Sequence, residues 1–347
     1  DLELAVETAL VIEGPFKMMN RLGIETALSL VQAYAEEFPG FTVADPLITQ
    51  AKKGEPWKIP VVYREDHGDV AVVTIRRPQV LNALNGDVTA QLSEIFAEID
   101  QDPAIKAAVL KGFGVKAFVS GADIRELAEL DSPEAAERLS LRDQAVITQI
   151  ENLGKPVVCA YNGLALGGGN ELAMGCTARI ARKGMKVLAG QPEPNLGLIP
   201  GAGGTQRLPR IVGMENAWPM LRTGKPIDSA KALEIGLISE EVSGDLLEAA
   251  ISFAREIAEG KRSVPPIPKG PIAVPENLPD VDIGHLSRKI DEILQKAILE
   301  GARMTLEEGL KREAYYFGRC FATEDCRIGL SNFLENGPRT PAKFVHR

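Results

Sequence analysis

The stretch Asn162-Gly-Leu-Ala-Leu-Gly-Gly-Gly-Asn-Glu-Leu-Ala-Met174 constrains this chain more than any other. It follows a buried-strand pattern, Val157-Val-Cys-Ala160, and opens a helix that carries Glu171 in its first turn. Three consecutive glycines allow backbone geometries closed to other residues and let neighbouring elements approach closely. The N–H groups of a helix's first turn lack intrahelical partners, and the helix dipole adds positive charge there. An anion or a developing oxyanion can be held at such a place. A close helix–strand packing turn would leave the same signature.

Two further stretches end strands at glycine. In Lys116-Ala-Phe-Val-Ser-Gly-Ala-Asp-Ile124 the backbone after the strand can present another N–H, while Asp123 also suits a helix N-cap. In Gly190-Gln-Pro-Glu-Pro-Asn-Leu-Gly-Leu-Ile-Pro-Gly-Ala-Gly-Gly-Thr-Gln-Arg207, Glu193 is bracketed by Pro192 and Pro194 and so is held rigidly. Gly201, Gly203 and Gly204 behind it permit a loop packed close to a ligand. Taken alone, a loop glutamate is ordinarily solvated.

The surrounding pattern alternates strands and helices. Val70-Ala-Val-Val-Thr-Ile75, Ala107–Leu110, Ala117–Ser120 and Val157–Ala160 read as strands, and residues 86–101 and 132–153 as helices. Such alternation predicts an α/β domain with crossover connections over residues 59–262. Residues 1–58 read as a helical segment, with Met18, Leu22, Ala27, Leu30, Val31 and Tyr34 at helical spacing. It closes in a linker-like stretch, Gly54-Glu-Pro-Trp-Lys-Ile-Pro60. Residues 263–347 begin with proline-rich punctuation and continue as helical sequence from about Gly284 to Ala322.

The net charge of −9 gives no general attraction for nucleic acid or an anionic membrane, and no apolar run approaches the ~20 residues of a membrane span. Cys159, Cys176, Cys320 and Cys326 have neither metal-site nor disulfide-framework spacing, and His67, His285 and His346 are scattered. No metal site is expected, and a reduced cytoplasmic setting is.

Together the three glycine-rich stretches closely resemble the crotonase (enoyl-CoA hydratase/isomerase) superfamily. Supporting matches are Arg77-Pro-Gln-Val-Leu-Asn-Ala-Leu84, Lys155-Pro156, Leu221–Ile238 and Phe321–Leu334. The resemblance implies an α/β crotonase-like ββα spiral with carboxyl-terminal helices, here preceded by a small helical segment. It implies a hydratase acting on a CoA thioester, with Glu193 protonating the α-carbon and Glu171 activating and orienting water. The implied oxyanion hole is the backbone N–H of Ala122 with that of Gly168. Ala83, Leu84, Ala122, Asp123, Ile124 and Arg125 are the implied substrate and CoA contacts, and Leu127, Leu130 and Leu141 fall in the segment that commonly lines the acyl pocket. Coenzyme A enters only as part of the substrate. Assembly as a trimer, or a dimer of trimers, also follows from the resemblance. About two residues near 181–185 exceed the common pattern, enlarging a turn or altering a pocket wall. A Δ3,Δ2-enoyl-CoA isomerase needs essentially one carboxylate, so two glutamates favour hydration. A non-catalytic RNA-binding or assembly role would predict a basic face and little use for the glutamates.

Gly14-Pro-Phe-Lys-Met-Met-Asn-Arg-Leu-Gly-Ile-Glu-Thr-Ala-Leu28 resembles the carboxyl-terminal domain of 3-hydroxyacyl-CoA dehydrogenases, with Asn20 and Glu25 where that family carries acidic residues. No strand–GxGxxG–helix unit precedes it, so the NAD site of such an enzyme is not in this chain. The expectation is the carboxyl-terminal part of a dehydrogenase–hydratase fusion whose amino-terminal domain is missing.

Overall fold

The computed structural model describes residues 2–10 and 13–347. Two compact units divide the chain, residues 1–60 and 61–347.

The first unit is four helices, α1 (Leu2–Leu10), α2 (Pro15–Leu22), α3 (Ile24–Glu37) and α4 (Asp45–Lys53). Glu3 accepts the amides of Phe16 and Lys17 at 2.8 and 3.1 Å, supplying acceptors for the open first turn of α2. Asn20 both donates to the Trp57 carbonyl (2.9 Å) and accepts its amide (2.7 Å). The small core is Ile24, Leu47 and Ala51, with Met19, Leu28, Val31 and Trp57 against it, and Ala27 is also buried. The segment is helical as its spacing predicts, with Met18, Leu22, Leu30 and Tyr34 exposed and Ala27 and Val31 turned inward. Gly23, at φ +86°, separates α2 from α3 and resets the helical phase, so one continuous apolar stripe does not exist.

The second unit is built on two sheets. The larger has the order β1 (Val62–His67), β2 (Val70–Ile75), β3 (Ala107–Gly112), β5 (Val157–Tyr161), β7 (Ala178–Arg182), β9 (Glu240–Val242). Only the β1–β2 hairpin is antiparallel. The smaller has the order β4 (Ala117–Val119), β6 (Leu164–Leu166), β8 (Ala189–Gly190), all parallel. Interspersed are α5 (Gly86–Gln101), α6 (Ile124–Ala128), α7 (Pro133–Glu151), α8 (Gly168–Met174), α9 (Gly204–Val212), α10 (Met214–Thr223), α11 (Ser229–Glu234) and α12 (Leu246–Ala258).

Both faces of the large sheet's inner strands are covered, which is why β2, β3 and β5 read as apolar runs. Val70, Val72, Ala107, Val109, Val158 and Ile180 face α12 with its Ala250 and Phe253. Their alternates, Ala71, Val73, Ala108, Leu110, Val157 and Cys159, enter the main core with Leu92, Phe96 and Ile99 of α5.

The expected helical run from Gly284 to Ala322 is two helices, α13 (Arg288–Ala302) and α14 (Leu306–Cys320), followed by α15 (Glu324–Asn336). The break is a capping box in which Thr305 and Glu308 satisfy each other's backbone amides. Within the chain, α14 packs on α7 and α13, and α13 on α9. The proline-rich stretch before them is a strap without helix or strand, tied by Ile272 N–H to the Ala302 carbonyl (2.8 Å), Leu306 N–H to the Lys269 carbonyl (2.8 Å) and the Trp218 indole to the Pro279 carbonyl (3.2 Å). Residues 183–187 form a turn leading from β7 toward β8. Among the described residues no helix is long and apolar enough to cross a membrane.

Candidate active site

The three strands of the small parallel sheet each end in one of the sequence stretches singled out above. β4 leads to Ala122, β6 to the triple glycine and Glu171, and β8 to Glu193. Ligand sites of parallel sheets gather at the carboxyl ends of strands, and here the central strand is β6, with the other two on either side.

Backbone geometry brings β4 and β6 together at that edge. Gly169 lies against the Val119 carbonyl so closely that any β-carbon would collide with it. A β-carbon placed on Gly168 would lie 3.5 Å from the Ala122 nitrogen and 3.5 Å from Leu84 Cδ1. Neither the Ala122 nor the Gly168 amide donates to an acceptor among the described residues, whereas the flanking Gly167 amide reaches the Gly190 carbonyl at 2.9 Å. Two unengaged N–H groups therefore sit side by side, one opening a helix and one beyond a strand. Such a pair can stabilise negative charge developing on a carbonyl oxygen.

The carboxylates come next to this pair. Gly167 has φ +52° and ψ −127°, and a β-carbon there would lie 2.5 Å from Glu193 Oε1. Only glycine adopts this conformation freely, and only glycine leaves room for the acid. Glu193 is half-buried, yet its Oε2 is inaccessible and without a partner among the described residues. Glu171 is buried, and its Oε1 accepts the amides of Ala202 and Gly204 at 2.8 and 2.6 Å. Burial pushes the Glu171 carboxyl well up, and the charges of Glu193 and Glu313 push it further against the two amides. Burial likewise raises Glu193, to about 8, against its own amide, with Glu313 adding to the rise. Two raised and interacting carboxyls of this kind share protons as a pair.

The proposed CoA contacts gather beside the oxyanion pair. Leu84 N–H donates to the Gly121 carbonyl (2.9 Å) and Asp123 N–H to the Leu84 carbonyl (2.7 Å). Ala83 and Leu84 are buried, Ile124 is half-buried and Arg125 is exposed. Asp123 realises the capping alternative: its side chain accepts the Arg125 amide at 3.3 Å and pairs with Arg77 at 3.0 Å. Leu127 belongs to the main core with Leu130 packed against it, whereas Leu141 is exposed on α7.

Several supporting residues escaped the sequence reading. Arg77 bridges the Ala83 carbonyl (2.6 Å) and Asp123, so it bolts the 83–84 and 122–125 segments together. Leu81 and Asn82 hold positive φ, and buried Asn82 fixes that bend by donating to the carbonyls of Phe113 (3.0 Å) and Ala117 (3.1 Å). The Arg77–Leu84 stretch was noticed, and an asparagine next to a bend is a signal for such geometry. Behind the glutamates, the Tyr161 hydroxyl donates to Asn170 Oδ1 (2.8 Å) and Asn170 Nδ2 to Gln191 Oε1 (3.0 Å). Glu313, from distant α14, gave no sequence signal.

The sequence model for enoyl-CoA hydratase/isomerase matches residues 65–265. The chain is 38% identical over 275 residues to a short-chain-enoyl-CoA hydratase of Clostridium acetobutylicum, covering 79% of this chain and 94% of that one. It is 38% identical over 284 residues to a crotonyl-CoA hydratase of Syntrophomonas wolfei, covering 82% and 97%. A crystal structure of an enoyl-CoA hydratase from Bacillus anthracis superposes with TM-score 0.53 at 29% identity, covering 83% of this chain and all of that one. These relatives are mostly hydratases that stand alone, and they lend no support to a dehydrogenase fusion. With its oxyanion-type amide pair, its paired carboxylates and these matches, the chain belongs to the enoyl-CoA hydratase/isomerase family.

Proposed function

We propose that Glu171 and Glu193 add water across the double bond of a trans-2-enoyl-CoA while the amides of Ala122 and Gly168 hold the thioester oxygen. By homology the chain is an enoyl-CoA hydratase, a hydro-lyase. The observation that carries the residue assignment is the convergence of a buried carboxyl (Glu171), a half-buried one (Glu193) and two unengaged amides at one edge of the small sheet.

In this reading the pair enters the reaction with one proton. The hydrogen bonds decide where it sits: Glu171, accepting two amides, is the better anion, and Glu193, with an unpartnered buried oxygen, is the better proton carrier. Glu171 takes a proton from water as its oxygen bonds to the β-carbon. The double-bond electrons move toward the thioester, whose oxygen gains charge against Ala122 and Gly168. Glu193 delivers its proton to the α-carbon, giving the 3-hydroxyacyl-CoA. The pair ends with one proton again, now on Glu171, and its return to Glu193 resets the site. An isomerase would use essentially one of these carboxyls.

Ala83, Leu84 and the 122–125 backbone would carry the CoA portion, with exposed Arg125 free to meet a phosphate. A trimer or dimer of trimers is the assembly proposed on the family resemblance. The dehydrogenase association rests on residues 14–28, and a native gene product without an upstream dehydrogenase domain would remove it.

The test follows enoyl-thioester absorbance on adding the protein to crotonyl-CoA. Wild type should consume it, and Glu171→Gln or Glu193→Gln should each lower kcat by ~10²–10⁴. Full activity in both variants would end this reading.

A further inference from the structure

The turn Ala202–Thr205 hangs between two carboxylates in strict alternation. The amides of Ala202 and Gly204 donate to Glu171. Those of Gly203 and Thr205 donate instead to Glu313, at 2.5 Å to Oε1 and 2.8 Å to Oε2. Glu313 also accepts the Thr205 hydroxyl at 2.5 Å and Gln144 Nε2 at 3.0 Å. It is fully buried and projects from α14, in the carboxyl-terminal helices. The four consecutive amides around the start of α9, where no intrahelical acceptors exist, are thus divided between a residue at the reaction centre and one behind it.

We propose that Glu313 is a positioning residue for the hydration site: by holding the alternate amides of the 202–205 turn, it fixes the direction from which the other two hold the Glu171 carboxylate. The inference rests on the reading of Glu171 given above.

Docking α14 does not explain a carboxylate there. Leu306, Leu310, Ala314 and Phe317 already bury the apolar face of that helix, and a hydrophobic side chain would anchor it without the cost of burying a charge. What only a carboxylate supplies is two oxygens able to take alternate amides of one turn. The same charge also pushes the proton affinities of Glu171 and Glu193 upward, so its loss would disturb the pair electrostatically as well as geometrically.

The decisive experiment is steady-state hydration of crotonyl-CoA by the full chain carrying Glu313→Gln, whose amide group cannot accept one of the two N–H bonds. The kcat should fall about 10- to 100-fold, as expected for a small misplacement of a reacting group, while KM moves less than about threefold. Glu313→Asp keeps both acceptor oxygens and should recover most of the lost kcat. Undiminished kcat in Glu313→Gln, or equal losses in the Gln and Asp variants, overturns the proposal. If Glu313→Gln does not fold, Thr205→Val takes its place. It removes the hydroxyl that donates to Glu313 and accepts Gln206 Nε2 (2.8 Å) while leaving the four turn amides in place, and it should lower kcat about threefold or more; an unchanged kcat overturns the proposal. A wild type that hydrates no enoyl thioester overturns the hydratase reading and this inference with it. An active wild type with an indifferent Glu313 overturns this inference alone.

Discussion

The two sheets of the second unit follow opposite rules. The large sheet has six strands, and its inner strands β2, β3 and β5 are covered on both faces with side chains mostly apolar and buried. The small sheet has three strands of two or three residues, and what matters is the backbone just beyond them. In the first, side chains make the structure and the strand ends are connections. In the second, the strands are short mounts for amides and carboxyls at their carboxyl ends. Stability and chemistry are thereby placed in different sheets, so substitutions in the two should have separable effects.

The strongest challenge to that separation is Gly167→Ala. The new methyl would occupy the space of Glu193 Oε1 in a backbone conformation closed to alanine. We expect kcat to fall by about 10²-fold, with a stability cost of about 1–3 kcal/mol. Steady-state kinetics beside a denaturation curve would show both, and a kcat within twofold of wild type would break the comparison.

Acidity gives the next largest effect. With Glu193 pushed up to about 8 and Glu171 also raised, the pair keeps the proton it needs at neutral pH. Activity should decline about tenfold per pH unit once the solution passes about 8, as that proton is lost. Stability has the matching sign. A carboxyl raised in the folded state binds its proton more tightly than the unfolded chain does. Its stabilising contribution is full below the ordinary carboxylate range and is lost as pH rises toward 8, with Glu313, raised to about 6, adding to the decline. Thermal melts across pH should show this slope, and Glu193→Gln should flatten it.

The smallest expected effect on catalysis comes from the large sheet. Phe253 of α12 is buried against Val70, Val109 and Val158. Phe253→Ala should cost about 3–5 kcal/mol of stability while kcat per folded molecule stays within about twofold. Folded-fraction-corrected kinetics would check it, and a tenfold fall in kcat would tie the two sheets together.

What could be read from sequence follows the same division. Strands such as Val70–Ile75 and helix Gly86–Gln101 were legible because burial on known faces imposes a local pattern. Ala122, Gly168, Glu171 and Glu193, the positions proposed for the site, stand out in the sequence because each sits a few residues from a glycine turn that only a special backbone requires. Glu313 was not, because its partners are amides far along the chain and it reads as one charge in a helix rich in charges. In the first unit, helical spacing carries the class of element but not which side chains pack inward, because Gly23 interrupts the phase. The split between α13 and α14 was available in the Thr305-x-x-Glu308 signature, which marks a helix start inside an otherwise helical run.

The most direct measurement of the central claim is a structure of the protein with a 3-hydroxyacyl-CoA or enoyl-CoA analogue bound. The thioester oxygen should lie about 2.7–3.1 Å from the backbone nitrogens of both Ala122 and Gly168, with the α- and β-carbons facing Glu193 and Glu171. A thioester bound away from the carboxyl end of the small sheet, or touching neither amide, would contradict the account.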